Sequence, residues 1–359
     1  MIIISYGSDI VNNTRGALEA SDIGKYLRPG SNVAIKPNLV VPGPASLGAT
    51  THPEVVEGIV LFLHGFGVGS IKIIESSWVG DSTARAFKYC GYEELGDKYG
   101  IPLIDLKKDT ATALIYEGET FEVCDEALNT DFLINVPVLK AHCQTRLTCC
   151  MKNLKGCIPD KEKRRYHTLG IHKPVAQLSK LIKTGYNVVD GICGDLSFEE
   201  GGNPVPAGRI IAGRDALEID SLCAQLIGYA PDEIGYLLIG KSIGVGDYYS
   251  EKTHILELNA EEKPVGAVSG GREAEKYSKL IEEESACSAC YASAIYALHR
   301  LGGETGEAGK IHVGQGFRGK SAEGFGIGNC ACGFTEHVPG CPPKATAVID
   351  ALKKRKAGS

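Results

Sequence analysis

Apolar residues in this chain gather into short continuous runs separated by amphipathic stretches, and that alternation predicts an α/β protein. IIISY (2–6), NVAIK (32–36), SIKIIESS (70–77), IPLIDL (101–106), DFLINVPVLK (131–140), NVVDGICG (187–194) and RIIAG (209–213) read as strands. Several are apolar at consecutive positions, as a parallel sheet requires when helices cover both its faces. Helical patterns lie near 14–27 and in HPEVVEGIVLFLHGFG, STARAFKYCG, YEELGDKYG and DALEIDSLCAQLIGY, and TFEVCDEAL adds a strand signal. The helix after Thr51 has clear start signals: Thr51 as N-cap, Pro53 in the first turn and Glu54 three residues after the cap.

After Val265 the texture changes. GREAEKYSKLIEEES predicts a charged helix, SACSACYASAIYALHRLGG a second, KIHVG a short strand, Gly314 to Gly333 a glycine-dense loop, and GCPPKATAVIDALKKRK a last helix. The expected architecture is therefore a mostly parallel α/β sheet covered by helices on both faces over residues 1–270. A small cysteine-rich α/β domain over 271–359 follows it.

Composition narrows the function classes. With 359 residues, 43% of them hydrophobic, the chain can bury a large core. No apolar run reaches the ~18 residues of a membrane span, and a net charge of -6 argues against nucleic-acid binding through the whole surface. Thirteen cysteines cannot all pair within one chain, and MIIISYGSD does not read as a secretory signal. A reducing, cytoplasmic compartment is expected, with thiols available for metal. Charge is concentrated as well: residues 140–173 hold nine Lys/Arg against two acids, +7 in a chain of -6, so the remainder carries -13. Such a basic island focuses an anion toward one place, although the KEKRR run alone also reads as a solvated helix face.

Five cysteines fall near the C-terminus. Cys287 and Cys290 form C-x-x-C at an expected helix start, Cys330 and Cys332 form C-x-C among glycines, and Cys341 sits in PGCPP. Paired cysteines can turn two sulfurs toward one metal group, and glycines let backbone N–H groups approach anionic sulfur. The expected ligands of a [4Fe-4S] cluster are Cys287, Cys290, Cys330 and Cys341, with Cys332 in reserve. Structural zinc on the same thiolates is the alternative, and a cluster held by three cysteines would instead offer a Lewis-acidic iron. Cys143, Cys149, Cys150 and Cys157 are expected to be packing thiols. Gly314–Ser321 matches the P-loop pattern, yet the continuation AEGFGIGNC is too rich in glycine for the helix that a P-loop needs.

Lys36 and Asn38 directly follow one strand, and Lys140 and His142 another, where α/β sheets place their ligands. His142, Lys140 and Lys36 are the expected catalytic groups, with His142 the proton carrier because imidazole titrates near neutral pH. Asn38, Lys152, Asn153, Arg164, Arg165 and His167 are the expected binding groups for a small carboxylate or phosphate; Lys152 and Asn153 fall at a helix end, and Arg164, Arg165 and His167 in a loop.

The stretches Lys36-Pro37-Asn38, Ala49-Thr50-Thr51-His52-Pro53-Glu54, Lys140-x-His142, Lys152-Asn153 with Gly156, Asp190-Gly191, Gly202-Asn203-Pro204 and the Asp215…Asp220 helix occur in that order. Through them the chain resembles the iron–sulfur-associated family labelled domain of unknown function 362, over roughly residues 30 to 230. The resemblance implies a ferredoxin-like cluster module, in agreement with the terminal cysteines, although their spacing departs from the C-x-x-C-x-x-C-x-x-x-C-P run. GCPP resembles the cluster-ligand segment of small hydrogenase-like and respiratory-complex subunits, and the architecture is distantly similar to the nickel-pincer lactate racemases. An oxidoreductase or electron-transfer protein acting on a small anion is the leading expectation. A non-redox lyase or isomerase with a structural or Lewis-acid cluster, and a non-enzymatic cluster-binding partner of a redox complex docked through the basic end KKRKAGS, are the alternatives.

Overall fold

Apolar runs become strands wherever helices can cover them. The computed structural model describes residues 1–198, 201–265, 268, 272–303 and 309–357. In chain order it forms β1 (Ile2–Tyr6), β2 (Asn32–Pro37), β3 (Ser70–Glu75), β4 (Leu103–Asp105), a ribbon of β5 (Ala111–Tyr116) and β6 (Glu119–Cys124), β7 (Phe132–Val136), a second ribbon of β8 (Lys140–His142) and β9 (Arg146–Thr148), β10 (Tyr186–Asp195), β11 (Pro204–Gly213) and β12 (Ile255–Leu258). Eight of these make one sheet in the order β12-β1-β11-β10-β7-β2-β3-β4. It is parallel at every junction except the two that β11 makes with β1 and β10.

Both faces are covered. Ile3, Val33 and Ile35 pack with Val56 and Ile59 of the helix Pro53–Phe66, whereas Ile2 and Ile4 pack on the other face with Val175 of His172–Leu181 and Ile219 of Ala216–Leu226. Alternate residues of one strand thus enter two cores, which is why the strands read as unbroken apolar runs. The helix at Pro53 starts one residue later than expected, with His52 as N-cap. Thr51 is drawn away: its hydroxyl donates to Val136 O at 2.8 Å and accepts from Asn38 N at 2.8 Å, lacing the exit of β2 to that of β7.

The cysteine-rich end has a sheet of its own. β13 (Ile281–Glu283), β14 (Ile311–Val313), β15 (Ala322–Ile327) and β16 (Phe334–Val338) are parallel throughout. The helices Ser288–Arg300 and Ala345–Ala357 pack on it around Ile281, Val313, Ile327, Leu298 and Val348. Two expectations change here. The charged stretch forms only the turn of helix Glu275–Ser278 before β13, with its first residue, 271, outside the described residues. The glycine-dense loop contains β15, where a Cβ at Gly326 would lie 2.4 Å from Ala331 O, so glycine there permits a close approach of two backbones. Lys320 and Ser321 of the P-loop-like pattern lead into that strand and not into a helix. The basic end KKRKAGS continues the last helix to Ala357, and residues 358 and 359 lie outside the described residues.

Candidate functional site

β7, β2 and β3 are parallel neighbours, so their C-terminal ends share one rim of the sheet. That rim is polar and closely paired. Lys36 Nζ donates to Glu75 at 3.0 Å and 3.2 Å, to Pro37 O at 2.9 Å and to Asn153 Oδ1 at 3.3 Å. Glu75 also accepts from Leu39 N at 3.0 Å and Ser76 N at 2.6 Å. Asn153 Nδ2 donates to Asn135 Oδ1, and Asn135 Nδ2 to Asn187 Oδ1, at 2.8 Å and 3.0 Å, giving a row of amides below the rim. Gly156 is where it must be: a Cβ there would sit 2.3 Å from Glu75 Oε1 and 2.5 Å from Lys36 Nζ.

Above the rim lies a cavity of about 590 Å³. One side carries Lys140, His142, Lys152, Lys155, Arg164 and His167, a second Val40, Val41 and Trp78, and a third Cys287, Cys290, Cys341, Pro342 and Pro343 from the C-terminal end. The basic strand ends and three of the terminal cysteines therefore line a single space.

Each expected residue can now be placed. Lys36 lines the cavity, but its ammonium is committed to the Glu75 pair, so it holds the rim in shape and Asn153 belongs to the same framework. Lys140 is buried, with Nζ on Ala49 O at 2.7 Å. His142 Nδ1 accepts from Gln144 N at 3.1 Å and Thr145 N at 3.2 Å, which leaves Nε2 as the proton-bearing nitrogen of the neutral ring. Asn38 Oδ1 is buried without a hydrogen-bond partner among the described residues. The expected loop is in fact the helix Asp160–Thr168, and this separates two neighbouring arginines. Arg164 faces the cavity. Arg165 points the other way, to Glu162 at 2.8 Å and over the Phe121 ring of the β5–β6 ribbon, so it is not a cavity residue. Lys155 Nζ and His167 Nε2 are 3.4 Å apart. Lys163, not singled out from the sequence, donates to Ser76 O and Ser77 O at 3.0 Å and 2.8 Å and holds the loop that carries Trp78; burial pushes its pKa down to about 8.

The cysteine side is built from two helix approaches. Cys287 is the N-cap of Ser288–Arg300 and Cys290 lies in its first turn; burial pushes the Cys287 thiol up despite its place at the helix start. Asn329 N donates to Gly340 O at 2.9 Å and Gly340 N to Asn329 Oδ1 at 2.8 Å. This clasp holds the chain one residue before Cys330 and one before Cys341, and so brings the two cysteines to the same place. Burial, reinforced by the charge of Cys287, Cys341 and Cys330, pushes the Cys290 pKa up to about 12. Arg318 Nε donates to Cys330 Sγ at 3.3 Å, and Gln315 Nε2 to Cys287 Sγ at 3.6 Å and Arg164 O at 3.3 Å. Cys332 is exposed. A four-thiol set with cationic and amide donors aimed at sulfur fits a soft metal group. Asn329 carried no motif from which it could have been found, and Gln315 and Arg318 lay in a pattern read only as a rejected P-loop.

A second group could also hold a metal ion. Cys149, Cys150 and Asp220 have ligand atoms all within 4.8 Å of one another, the one such group among the described residues. It is fully buried, its thiols pushed far up by burial, and Asp220 accepts from Cys150 N at 2.6 Å and Met151 N at 3.0 Å.

No helix among the described residues is long and apolar enough to cross a membrane. The thylakoid-associated protein sll1697 of Synechocystis sp. is 25% identical over 238 residues, covering 64% of this chain and 74% of that protein. Among solved structures, the lactate racemase apoprotein of Thermoanaerobacterium thermosaccharolyticum matches with a TM-score of 0.41 at 13% identity, covering 62% of this chain and 56% of that one. A Thermotoga maritima protein matches with a TM-score of 0.40 at 13% identity, covering 66% and 60%. A family model described as a domain of unknown function, DUF362, matches residues 33–225, which include the whole basic side of the cavity and more than half of the sequence, and the chain belongs to that family.

Proposed function

We propose that this chain is an iron–sulfur protein that moves electrons to or from a small anion held in the cavity between the basic rim and the terminal cysteines. One observation carries the reading: Lys140, His142, Lys155 and Arg164 line the same space as Cys287, Cys290 and Cys341. In this reading Cys287, Cys290, Cys330 and Cys341 hold a [4Fe-4S] cluster, which supplies one-electron chemistry. The pattern of a C-x-C with a distant C-P-P departs from the paired knuckles of a zinc ribbon, which supports the cluster over zinc.

The chain's own residues divide the remaining work. Lys152, Lys155, Arg164 and His167 bind the anionic group, and Asn38 Oδ1 accepts a hydrogen bond from a donor beside it. Val40, Val41 and Trp78 exclude water from the rest of the ligand. His142, with backbone donors fixing Nδ1, carries a proton at Nε2. Lys36, Glu75 and Asn153 position these groups. Thirteen free thiols suit a reducing, cytoplasmic setting. The fixed tautomer of His142 also favours a second reading, proton transfer in a non-redox lyase or isomerase with a structural cluster. Anaerobic purification decides between cluster and zinc: a brown protein with about four iron per chain and a reducible EPR signal supports the proposal, and colourless protein with stoichiometric zinc overturns it.

A further inference from the structure

Two cations of the cavity serve both of its sides. Lys155 and Arg164 belong to the basic wall, and both line the cavity that Cys287 also lines. The contact is also mechanical, since Gln315 joins the carbonyl of Arg164 to Cys287 Sγ through one amide group. A negative charge placed against these cations is thus a negative charge placed beside the cysteine ligands.

We infer that anion binding against Lys155 and Arg164 and reduction of the metal group at Cys287 are thermodynamically linked, each opposing the other. The inference rests on the cluster reading above. One electron, supplied by a reductant such as dithionite, makes the four-thiolate group one unit more negative with no bond made or broken. Lys155 and Arg164 then stabilise that added charge less well when an anion already occupies them. Linkage requires the converse to the same degree: the oxidised protein holds the anion more tightly than the reduced protein. An anion that arrives at the oxidised protein lowers the potential of the electron that follows, which makes that electron a stronger reductant beside its bound acceptor.

The test is an EPR-monitored redox titration of the full, anaerobically purified chain in inorganic phosphate, against chloride at equal ionic strength. The midpoint falls with phosphate, and equilibrium dialysis shows phosphate bound about tenfold more tightly to oxidised than to dithionite-reduced protein, which for one electron corresponds to about 59 mV. Arg164→Gln, an exposed position that does not threaten folding, lowers the phosphate-free midpoint and shrinks its phosphate dependence. Lys161→Gln, on the same helix but paired with Glu122, changes neither. A reducible cluster whose midpoint ignores phosphate, or whose shift persists in Arg164→Gln, overturns the linkage and leaves the cluster reading standing. Protein without a reducible iron signal overturns the proposed function, and the linkage with it.

Discussion

The two walls of the cavity are built on opposite principles. The sheet-rim wall is complete in itself: Lys36 meets Glu75 and Asn153, Glu75 meets two backbone amides, and Asn153, Asn135 and Asn187 satisfy one another. The cysteine wall is not complete. Its sulfurs bear on one another's charge, burial pushes the Cys290 thiol up to about 12, and thiols so placed become thiolates only when a cation joins them. One wall is held by what the chain supplies; in the proposed reading the other is held by what it binds.

Taking away the bound group is the harshest test of that contrast. Iron removal, or Cys290→Ala, should lower hydrogen-exchange protection of the β14 and β15 amides by about a hundredfold or more, because binding free energy in small metal domains is folding free energy. Amides of β7 and β10 should keep their protection. Equal loosening of both sheets would dissolve the distinction.

The reverse experiment strikes the rim. Glu75→Ala leaves Lys36 charged and buried without its partner, and breaking such a pair costs about 3–5 kcal/mol. Urea denaturation should show that loss, with part of it restored by adding Lys36→Met. Iron content per folded chain should stay unchanged, since neither residue reaches the cysteines.

A smaller effect separates two adjacent side chains. Arg164→Gln should weaken phosphate binding about tenfold, within the usual range for a charge-assisted contact, whereas Arg165→Gln should leave binding intact and loosen the β5–β6 ribbon. Trp78 is the single tryptophan of the chain and lines the cavity, so its fluorescence reports occupancy in iron-free protein. A loss of binding in both variants would place the anion elsewhere on the basic helix.

This pair also marks where sequence reading stops. As a loop, Arg164 and Arg165 were interchangeable; on a helix, consecutive side chains diverge by about 100°, and one faces the cavity while the other faces Phe121. The main sheet was legible because doubly covered strands are written as apolar runs. β13 and β15 were not: three residues IEE look helical beside charged neighbours, and AEGFGI looks like loop until Gly326 is seen against Ala331 O. The convergence of Lys140 and His142 with Lys152 and Arg164 was legible from their places at strand and helix ends, whereas Lys155, which lines the same cavity, was not singled out. Glu75 was invisible, since one acid at the end of an apolar strand is written the same way whether it meets solvent or a buried lysine.

The smallest predicted effect probes the rim by pH. His52 and Asp190 belong to two of the stretches that carry the family resemblance, and they meet: His52 Nδ1 lies 2.8 Å from Asp190 Oδ2, which also accepts from His52 N at 2.7 Å. Burial works against a charge on His52, but the hydrogen bond and negative charge of Asp190 outweigh it, and the His52 pKa is raised. A raised folded-state value means that the protonated pair stabilises the fold fully below the unfolded value of about 6.5, and that this stability is lost as pH rises through the folded value. Urea midpoints of wild type should therefore fall as pH rises above that range, and His52→Gln should flatten the slope. If the contrast between the walls is right, the pH-dependent loss appears in β7 and β10 amide protection and leaves β14 and β15 unmoved, because the His52 pair ties the loop after β2 to β10 and touches nothing on the cysteine side.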